Sequence, residues 1–489
     1  MAVSAQLTAR LHETIAFLRR ARVEYADLRW VRQLQESLIV QNGAVQHLAT
    51  AVSEGCAIRV LAQGAWGYAS SSRLTGQGLR TTALRAVAMA KACAPVNQGR
   101  VPFPPRPPHR GSYRTPLDVD PFTVGVQKKL DYLLWANQVL RDHPNIKTAT
   151  TTLECYRAEK LFLSTEGSLI HQEIIESGAA MEALAVLDGE VQRRSYPTAN
   201  GVCVAQAGYE YVKGLDLVGN APRVRREAVA LLRAKACPDG AATMILMPDQ
   251  LALQLHESCG HPVELDRVLG QELSFAGGSF LDPAKLGRFR YGSPHVNITA
   301  DATCPRGVGT FGYDDEGTPA QTTPVVRDGV FIGYLSSRES AVHLRRASSG
   351  AMRADGWNAM PLVRMTNVNL EPGTGTLGDL IADTPRGLLL ATNKSWSIDD
   401  QRLNFQFGTE IAWEIRRGRL GQVYKNPVYT GITPAFWGAC SGVAGRADWT
   451  LYGVPNCAKG EPVQIMHTGH GASPARFERV RVGSERRRR

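Results

Sequence analysis

LHESCGHPVELD, residues 255–266, places two histidines, three carboxylates and a thiol within twelve positions. Neutral imidazole is the commonest zinc ligand in proteins, and a glutamate beside a histidine ligand can take a proton from water. In the helical HExxH pattern the histidines are four positions apart and share one face. Here His256 and His261 are five apart, which on a regular α-helix leaves their rings about 140° apart. The stretch therefore predicts either a distorted metal-binding helix or two helix-end histidines with ordinary hydrogen bonds.

Two residues inside this stretch favour a distorted helix. Gly260 gives the backbone conformational freedom just before the second histidine. Pro262 removes one helical N–H and crowds the carbonyl of Ser258, one turn earlier. A wide turn of the π type, a feature often found at functional sites, would bring positions five apart onto the same face. A metal-binding helix would thus need a π-like turn here, while the alternative of two helix-end histidines stays open; Asp249 is a candidate N-cap for this helix.

A zinc site also needs a third protein ligand, and the sequence offers several. The candidates are Cys457, His467 and His470 far along the chain, with Cys259 and Glu264 as local alternatives. Spacing does not choose among them, because ligands can meet from distant positions. A free cysteine is most often a small buried hydrophobic residue, which is the alternative interpretation of Cys457.

The composition is that of a globular chain without a membrane or secretory segment. The 489 residues, 43% of them hydrophobic, are enough to bury two substantial cores. No apolar run approaches the length of a membrane span, and the leucines near the N-terminus recur at helical spacing instead of forming a signal peptide. The nine cysteines are odd in number and scattered, which does not fit a disulfide framework. We expect a reduced, soluble, cytoplasmic protein with no membrane partner.

The net charge of +11 raises the question of nucleic-acid binding. Seven of the arginines fall within the last fourteen residues. Such a run is more typical of a solvated tail than of a binding arm, and no basic platform with interleaved aromatic residues accompanies it. We therefore predict an Arg-rich, disordered tail over residues 476–489 and disfavour nucleic acid as a partner.

Tight hairpins dominate the rest of the pattern. Apolar segments are joined by turn-forming pairs at residues 42–43, 328–329 and 417–418. Repeated hairpins indicate antiparallel sheets, which need no crossover helices. The turn-rich residues 237–240 are the clearest boundary. The prediction is an α+β fold with an N-terminal mixed α+β domain over residues 1–237 and a C-terminal, mostly antiparallel β domain over residues 238–475 that carries one zinc-binding helix.

Residues 256–266 also fit a longer pattern, HExxGHxxExD. Further blocks lie at residues 26–28 and 42–43, then at residues 314–319 and 364–367 and around Cys457. In these blocks the sequence resembles the TldD/PmbA (TldE) family of metallopeptidases, specifically the metal-bearing TldD-type subunit. An eleven-residue pattern is far more specific than HExxH, and the blocks cover nearly the whole chain.

This resemblance implies a zinc site made by His256, His261 and Cys457, with one ion per chain and Glu257 as the catalytic residue. It also implies a dimer, with a PmbA/TldE-like subunit or with a second copy, in which the N-terminal domain helps to form a narrow tunnel. There an unfolded peptide would be held as an added β-strand. The implied function is zinc-dependent hydrolysis of short or unfolded peptides, including modified precursors, with Glu257 accepting the proton of the attacking water.

Two further carboxylates follow the second histidine, and the sequence also allows a second function. Glu264 and Asp266 are placed to orient the imidazole N–H groups, or else to cap the helix or bind main chain. The competing function is a non-catalytic one, a peptide-binding or scaffold subunit with a structural metal. A structural zinc site has four protein ligands and no open position, and His467 or His470 would supply the fourth.

Overall fold

The computed structural model describes residues 3–97, 99–199, 201–273 and 277–485. Within these ranges the chain has a mixed α+β, strand-rich fold, which confirms the α+β part of the prediction. Its largest parts are two eight-stranded sheets. Among the helices of the described ranges, none is both long enough and apolar enough to cross a bilayer.

The N-terminal half is built on one sheet of long strands. The strands are β1 (Tyr25–Gln41), β2 (Ala44–Ala62), β3 (Ala65–Ser71), β4 (Arg110–Arg114), β5 (Ile146–Ser164), β6 (Leu169–Leu187), β7 (Glu190–Tyr196) and β8 (Cys203–Ala205). The helices are α1 (Ala5–Arg20), α2 (Gly76–Cys93), α3 (Val126–Arg141), α4 (Tyr209–Gly214) and α5 (Leu217–Arg233). The sheet order is β3-β2-β1-β5-β6-β4, with β7 and β8 also paired to β6.

Helices cover this sheet through their apolar stripes. Ser4 caps α1 by accepting a hydrogen bond from the backbone N–H of Leu7 at 3.2 Å. The leucines of α1 recur at helical spacing, and they pack with α2 against β1, β2 and the end of β5 in one apolar cluster. A second cluster lies between α3, α5 and the strands β5 and β6. The helices therefore bury the sheet surface that the long strands provide.

The C-terminal half holds the second large sheet and three small ones. Its strands are β9 (Lys235–Ala236), β10 (Gly240–Leu246), β11 (Ile298–Asp301), β12 (Thr322–Arg327), β13 (Val330–Phe331), β14 (Met352–Arg353), β15 (Leu362–Val363), β16 (Val368–Leu370), β17 (Arg386–Ile398), β18 (Asn404–Arg416), β19 (Arg419–Lys425), β20 (Pro427–Ile432), β21 (Cys440–Val443), β22 (Thr450–Lys459), β23 (Gln464–Ala472) and β24 (Ala475–Ser484). Its helices are α6 (Pro248–Leu255), α7 (Leu265–Val268), α8 (Arg338–Ala341), α9 (Leu377–Ala382) and α10 (Thr433–Gly438). The large sheet has the order β17-β10-β24-β20-β18-β19-β9, and β21 pairs with β24.

Most strand pairs in this half are antiparallel, with parallel pairs at β10–β17 and β9–β19. The three predicted hairpin turns all join antiparallel neighbours. Both residues of each turn pair have positive φ: 50° and 82° at 42–43, 48° and 77° at 328–329, and 52° and 71° at 417–418. These are the backbone angles of type I′ turns, whose twist matches that of the flanking strands.

The predicted disordered tail is wrong for residues 476–484. They form most of β24, which lies between β10 and β20 inside the large sheet. Phe477, Val480 and Val482 are buried, while Arg479 and Arg481 are exposed. The arginine count concealed a half-buried strand whose apolar residues alternate with the charges. Residues 486–489 lie outside the described residues.

Buried ion pairs connect the two halves. Arg59 on β2 donates to Asp27 on β1 at 2.7 Å and 2.9 Å. The same guanidinium donates to Glu316, in the C-terminal half, at 3.0 Å. The side chains of all three residues are at most 3% exposed. One guanidinium therefore neutralises two carboxylates that burial would otherwise leave unpaired.

Arg59→Met is expected to lower the free energy of unfolding by roughly 3–5 kcal/mol, because two buried carboxylates lose their shared cation. Arg32→Met is the matched control, since Arg32 faces Glu54 across the same strand pair at 3.8 Å with both side chains about one third exposed. That change should cost at most about 1 kcal/mol. Denaturant unfolding of both variants measures the difference, and equal unfolding midpoints would contradict the importance of the buried pairs.

Candidate metal centre

The two histidines lie where the helix changes from α to π. The helix α6 (Pro248–Leu255) continues into a π turn over His256–Gly260 and then a single 3₁₀ turn over His261–Val263. The backbone N–H of His261 donates to the carbonyl of His256, five residues earlier. The two rings consequently meet, with centroids 4.8 Å apart. This is the π-like turn that the alternative of a distorted helix requires.

Gly260 and Pro262 shape this turn in two ways. Gly260 has ordinary right-handed angles, φ −79° and ψ −63°, so the expected use of its conformational freedom is wrong. A Cβ there would lie 1.9 Å from the sulfur of Met365, and the position therefore needs glycine for space. Pro262 lacks an N–H, and the Ser258 carbonyl that would have accepted from it receives the hydroxyl of Tyr291 instead.

The start of α6 differs from the prediction. The N-cap residue is Met247 and not Asp249. Pro248 occupies the first helical position, where a missing N–H costs nothing, so the helix begins earlier than the Asp249 side chain suggested. Asp249 lies buried in the first turn and accepts a hydrogen bond from the Thr392 hydroxyl at 2.6 Å. Its carboxylate there is near the positive end of the helix dipole.

Cys457 reaches the histidines from the hairpin β22–β23. The pairing of this hairpin shifts register between Val454 and Cys457. The Cys457 Sγ lies 3.7 Å from Nε2 of His261. One ligand atom from each of His256, His261 and Cys457 lies within 4.8 Å of the other two, and all three residues are buried. Two imidazole nitrogens and one sulfur are a donor set that suits zinc with one position left open.

The other candidate ligands lie outside this group. His467 pairs with Glu176 of the N-terminal half. The Nε2 atom of His470 contacts Nδ1 of His256 at 2.8 Å, and His470 therefore lies behind the first histidine. Cys259 is fully buried in the apolar cluster of the C-terminal half. Among the described residues, His256, His261 and Cys457 form the one group of three such side chains that could hold an ion.

Hydrogen bonds behind the two rings define which nitrogen of each ring faces Cys457. Nδ1 of His470 lies 3.2 Å from the Val368 carbonyl, to which it donates, so its Nε2 accepts from Nδ1 of His256. Nδ1 of His261 donates to Glu264 at 3.0 Å. Both ligand-candidate rings are thus held with Nδ1 protonated and with the Nε2 lone pair available.

Glu264 and Asp266 take different positions. Glu264 contacts His261 and also accepts from Arg267 at 2.9 Å. Burial by itself would raise the pKa of Glu264, but Lys459 and His261 hold it well below its ordinary value. Asp266 accepts two hydrogen bonds from Lys459 at 2.8 Å and touches neither histidine. Lys459 lies 3.3 Å from Glu264, so it links the two carboxylates.

The electrostatics favour the protonation states that a metal requires. Burial alone would raise the pKa of the Cys457 thiol, but the positive charge of Arg364 and the contact with His261 lower it below its ordinary value. Arg364 also donates to the Cys457 backbone carbonyl. Burial lowers the pKa of His261 to about 4 and also lowers the pKa of His256. Neutral rings and a readily ionised thiol are what metal ligation needs.

Glu257 lies beside the ligand group without joining it. Its Oε2 accepts a hydrogen bond from Arg402, and both side chains are buried. Glu257 and the three candidate ligands line a cavity of about 450 Å³. Sequence reasoning missed Arg402, because it lies 145 positions away in a turn between two strands and no motif marks it. Lys459 at the end of β22 and Arg267 next to Asp266 were also missed, because no motif marks either residue.

In metal-free protein a thiol-alkylating reagent is expected to modify Cys457 in preference to Cys259. Cys457 lines the cavity and its pKa is lowered, whereas burial raises the pKa of Cys259 to about 12. The thiolate is the reactive form of cysteine. Mass spectrometry of the alkylated peptides after brief treatment near neutral pH measures both rates, with the partly exposed Cys93 as the positive control. Faster modification of Cys259 would contradict the assigned electrostatics.

Family models match both halves of the chain. The model described as the PmbA/TldA metallopeptidase C-terminal domain matches residues 239–484. The model described as PmbA/TldA metallopeptidase domain 1 matches residues 26–90.

Individual proteins give the same result. The metalloprotease MJ0996 of Methanocaldococcus jannaschii is 28% identical over 408 residues, which cover 83% of this chain and 87% of the relative. A zinc metalloprotease TldD homologue of Saccharolobus solfataricus is 21% identical, covering 84% and 86%. The crystal structure of TldE from Thermococcus kodakarensis has the same fold, with a TM-score of 0.73 at 15% identity over 97% of this chain and 100% of that one. Because the C-terminal model alone spans half of the sequence, the chain belongs to the PmbA/TldD family of metallopeptidases.

Proposed function

We propose that the chain is a zinc-dependent peptidase that hydrolyses short or unfolded peptides, including modified precursors. The observation that carries this proposal is the group of three ligand atoms within 4.8 Å of one another, on the wall of a cavity that Glu257 also lines. Membership of a metallopeptidase family supports peptide hydrolysis. The name of the Saccharolobus relative includes zinc, which supports that metal.

His256, His261 and Cys457 would hold the ion, one per chain. When bound, zinc supplies a Lewis acid that polarises a carbonyl and lowers the pKa of water. Nitrogen and sulfur donors favour zinc over magnesium and calcium, which prefer oxygen. His470 and Glu264 would keep the two rings oriented with their Nε2 atoms toward the site.

Glu257 would carry the proton transfers. It is adjacent to a candidate ligand but is not part of the ligand group, so its carboxylate is free to act as a base. We propose that it accepts the proton of the attacking water and passes it to the leaving amine. Glu264 and Asp266 would not take this role, because neither is among the described residues that line the cavity.

The strand β22 would bind the substrate backbone. Residues 452–458 of this strand line the cavity, and β22 pairs with β23 on one side. An extended peptide beside it would gain main-chain hydrogen bonds that carry little sequence information. Folded proteins would be excluded, because their backbone groups are already paired and the cavity is only about 450 Å³. The substrate class would therefore be defined by lack of structure more than by sequence.

The assembly and the compartment are part of the same proposal. We propose a dimer with a PmbA/TldE-like subunit or with a second copy, and the fold shared with TldE supports a TldD/TldE partnership. We also propose that the chain divides into two domains at residue 237 and that the N-terminal domain forms the dimer and the tunnel. All nine cysteines lie in the described ranges and are free thiols, which supports the reducing cytoplasm.

The competing interpretation, a subunit with a structural metal, is less well supported. It requires a fourth protein ligand. His467 is engaged by Glu176, and His470 lies against His256 through the nitrogen that would have to bind the ion. The open side of the ligand group is the cavity itself.

Cys457→Ser is expected to reduce bound zinc from about one ion per chain to a small fraction, because a hydroxyl is a far poorer zinc ligand than a thiolate. Cys259→Ser is the matched control, since it changes another buried thiol two residues from His261 without touching the ligand group. Elemental analysis of the purified proteins measures the content. Full zinc in the Cys457 variant would exclude this residue as a ligand.

Glu257→Gln is expected to keep its zinc while turnover of an unstructured peptide pool falls by roughly 100-fold or more, because the amide is not a base. Glu478→Gln, on exposed β24 surface, controls for loss of a negative charge. Zinc content and peptide cleavage are measured on the same preparations. Wild-type turnover in a zinc-loaded Glu257→Gln protein would reject the assigned role.

A further inference from the structure

Arg402 lies in a turn that is held in an unusual backbone conformation. The turn joins β17 to β18, and Arg402 has a φ of 60°, in the left-handed region. The Asp399 side chain accepts from the backbone N–H groups of Leu403 and Asn404 at 2.8 Å and 3.0 Å. The Arg402 N–H donates to the Asp399 carbonyl at 2.9 Å. These bonds maintain a conformation that costs a residue with a side chain roughly 1–2 kcal/mol.

The same turn is anchored from the other side by α10. The hydroxyl of Thr433, which is fully buried, donates to the Arg402 carbonyl at 2.8 Å. The Thr433 N–H donates to the Leu403 carbonyl at 2.8 Å. Glycine would adopt this backbone at lower cost, yet the position holds an arginine whose side chain is only 6% exposed. Strained conformations that the surroundings enforce in this way are concentrated at functional sites.

The side chain leads from this turn to Glu257. Nη1 of Arg402 forms an ion pair with Oε2 of Glu257, and the Glu257 side chain is 10% exposed. Across the described part of the chain, Arg402 is the one hydrogen-bond partner of this carboxylate. Oε2 is therefore occupied, and Oε1 remains for a group that enters the cavity.

We propose that Arg402 is a positioning residue for the peptidase reaction: it holds Oε2 of Glu257, keeps the carboxylate out of the ligand group and leaves Oε1 to accept the proton. The inference rests on the proposed function, because it assigns the means by which Glu257 is kept in place for that function. A guanidinium suits this task, because it stays charged and its N–H donors have fixed directions.

The need for such a residue follows from the chemistry of carboxylates. A carboxylate is itself a good zinc ligand, and Glu257 is the sequence neighbour of His256. Without Arg402, the Glu257 side chain has no other hydrogen-bond donor in the described ranges to hold it away from an ion in the ligand group. A base that became a ligand would close the open position and could no longer accept a proton.

Arg402→Gly is the main test, because it removes the side chain and also relieves the left-handed backbone. The expected result is a kcat lower by roughly 10- to 100-fold with KM little changed, and an unfolding midpoint close to that of the wild type. Added guanidinium should recover part of the kcat, and Arg402→Lys should be intermediate. Arg417→Gly makes the same change at an exposed left-handed position, φ 52°, away from the cavity and should keep the wild-type kcat.

Zinc affinity provides a readout that does not depend on turnover. If Glu257 turns onto the ion when Arg402 is absent, chelator competition should show tighter zinc binding in Arg402→Gly. Removing a nearby positive charge also tightens binding, but that gain persists in the Glu257→Gln background, whereas a gain due to ligation disappears there. The difference between the two backgrounds measures the coupling of the two residues.

The outcomes separate this inference from the proposed function. Absence of peptide turnover in zinc-loaded wild-type protein would reject the proposed function, and full turnover in zinc-loaded Glu257→Gln protein would reject the role of Glu257 on which the inference rests. An inactive Glu257→Gln protein with a fully active Arg402→Gly protein would overturn the inference alone. Loss of zinc from Arg402→Gly would also overturn it. So would an increase in turnover when guanidinium is added to Glu257→Gln protein, which retains Arg402. Slow Arg402→Gly turnover that guanidinium recovers, together with a zinc-affinity gain that is larger in the Glu257 background than in the Glu257→Gln background, would support it.

Discussion

The hydrogen bond from the N–H of His261 to the carbonyl of His256 is the constraint on which the site depends. It spans five residues, so two histidines with the wrong spacing for an α-helix share one face. The turn persists because its surroundings compensate for it: Tyr291 satisfies the carbonyl of Ser258, and the sulfur of Met365 fills the space beside Gly260. A regular α-helix here would point the second ring away from Cys457.

Around this turn the charges are arranged in pairs instead of being excluded. Glu264 is balanced by Arg267 and Lys459, and Lys459 also binds Asp266. Buried ion pairs of this kind contribute little net stability, since the cost of desolvation offsets their attraction. Their effect is to fix the orientation of the side chains around the two imidazole rings. Nδ1 of each ring is committed to one hydrogen bond, so the imidazoles do not need to reorganise before they bind through Nε2.

Local patterns predicted local structure, and long-range contacts lay beyond them. The hairpin pairs predicted their turns because positive φ at both positions is a property of a few residue types. Gly260 and Pro262 indicated the π turn as one of two alternatives, although the glycine acts through the Met365 contact that only the fold reveals. The C-terminal strand was missed because charge was counted without its alternation with apolar residues, and Asp249 was assigned as N-cap because the proline before it was given no weight. Arg402 reaches Glu257 from a turn, and no spacing rule relates the two.

An ion bound to the ligand group would also act as a cross-link between distant parts of the chain. His261 lies on a helix and Cys457 on a hairpin, with 196 positions between them. An ion bound to both would close a loop of that length, as a disulfide does, and would remove conformational freedom from the unfolded chain. Because the entropy of closure grows slowly with length, each doubling of the loop adds only about 0.6 kcal/mol. A long insertion between the two ligands would therefore weaken this cross-link very little, which leaves the intervening strands free to diverge among chains that keep the same centre.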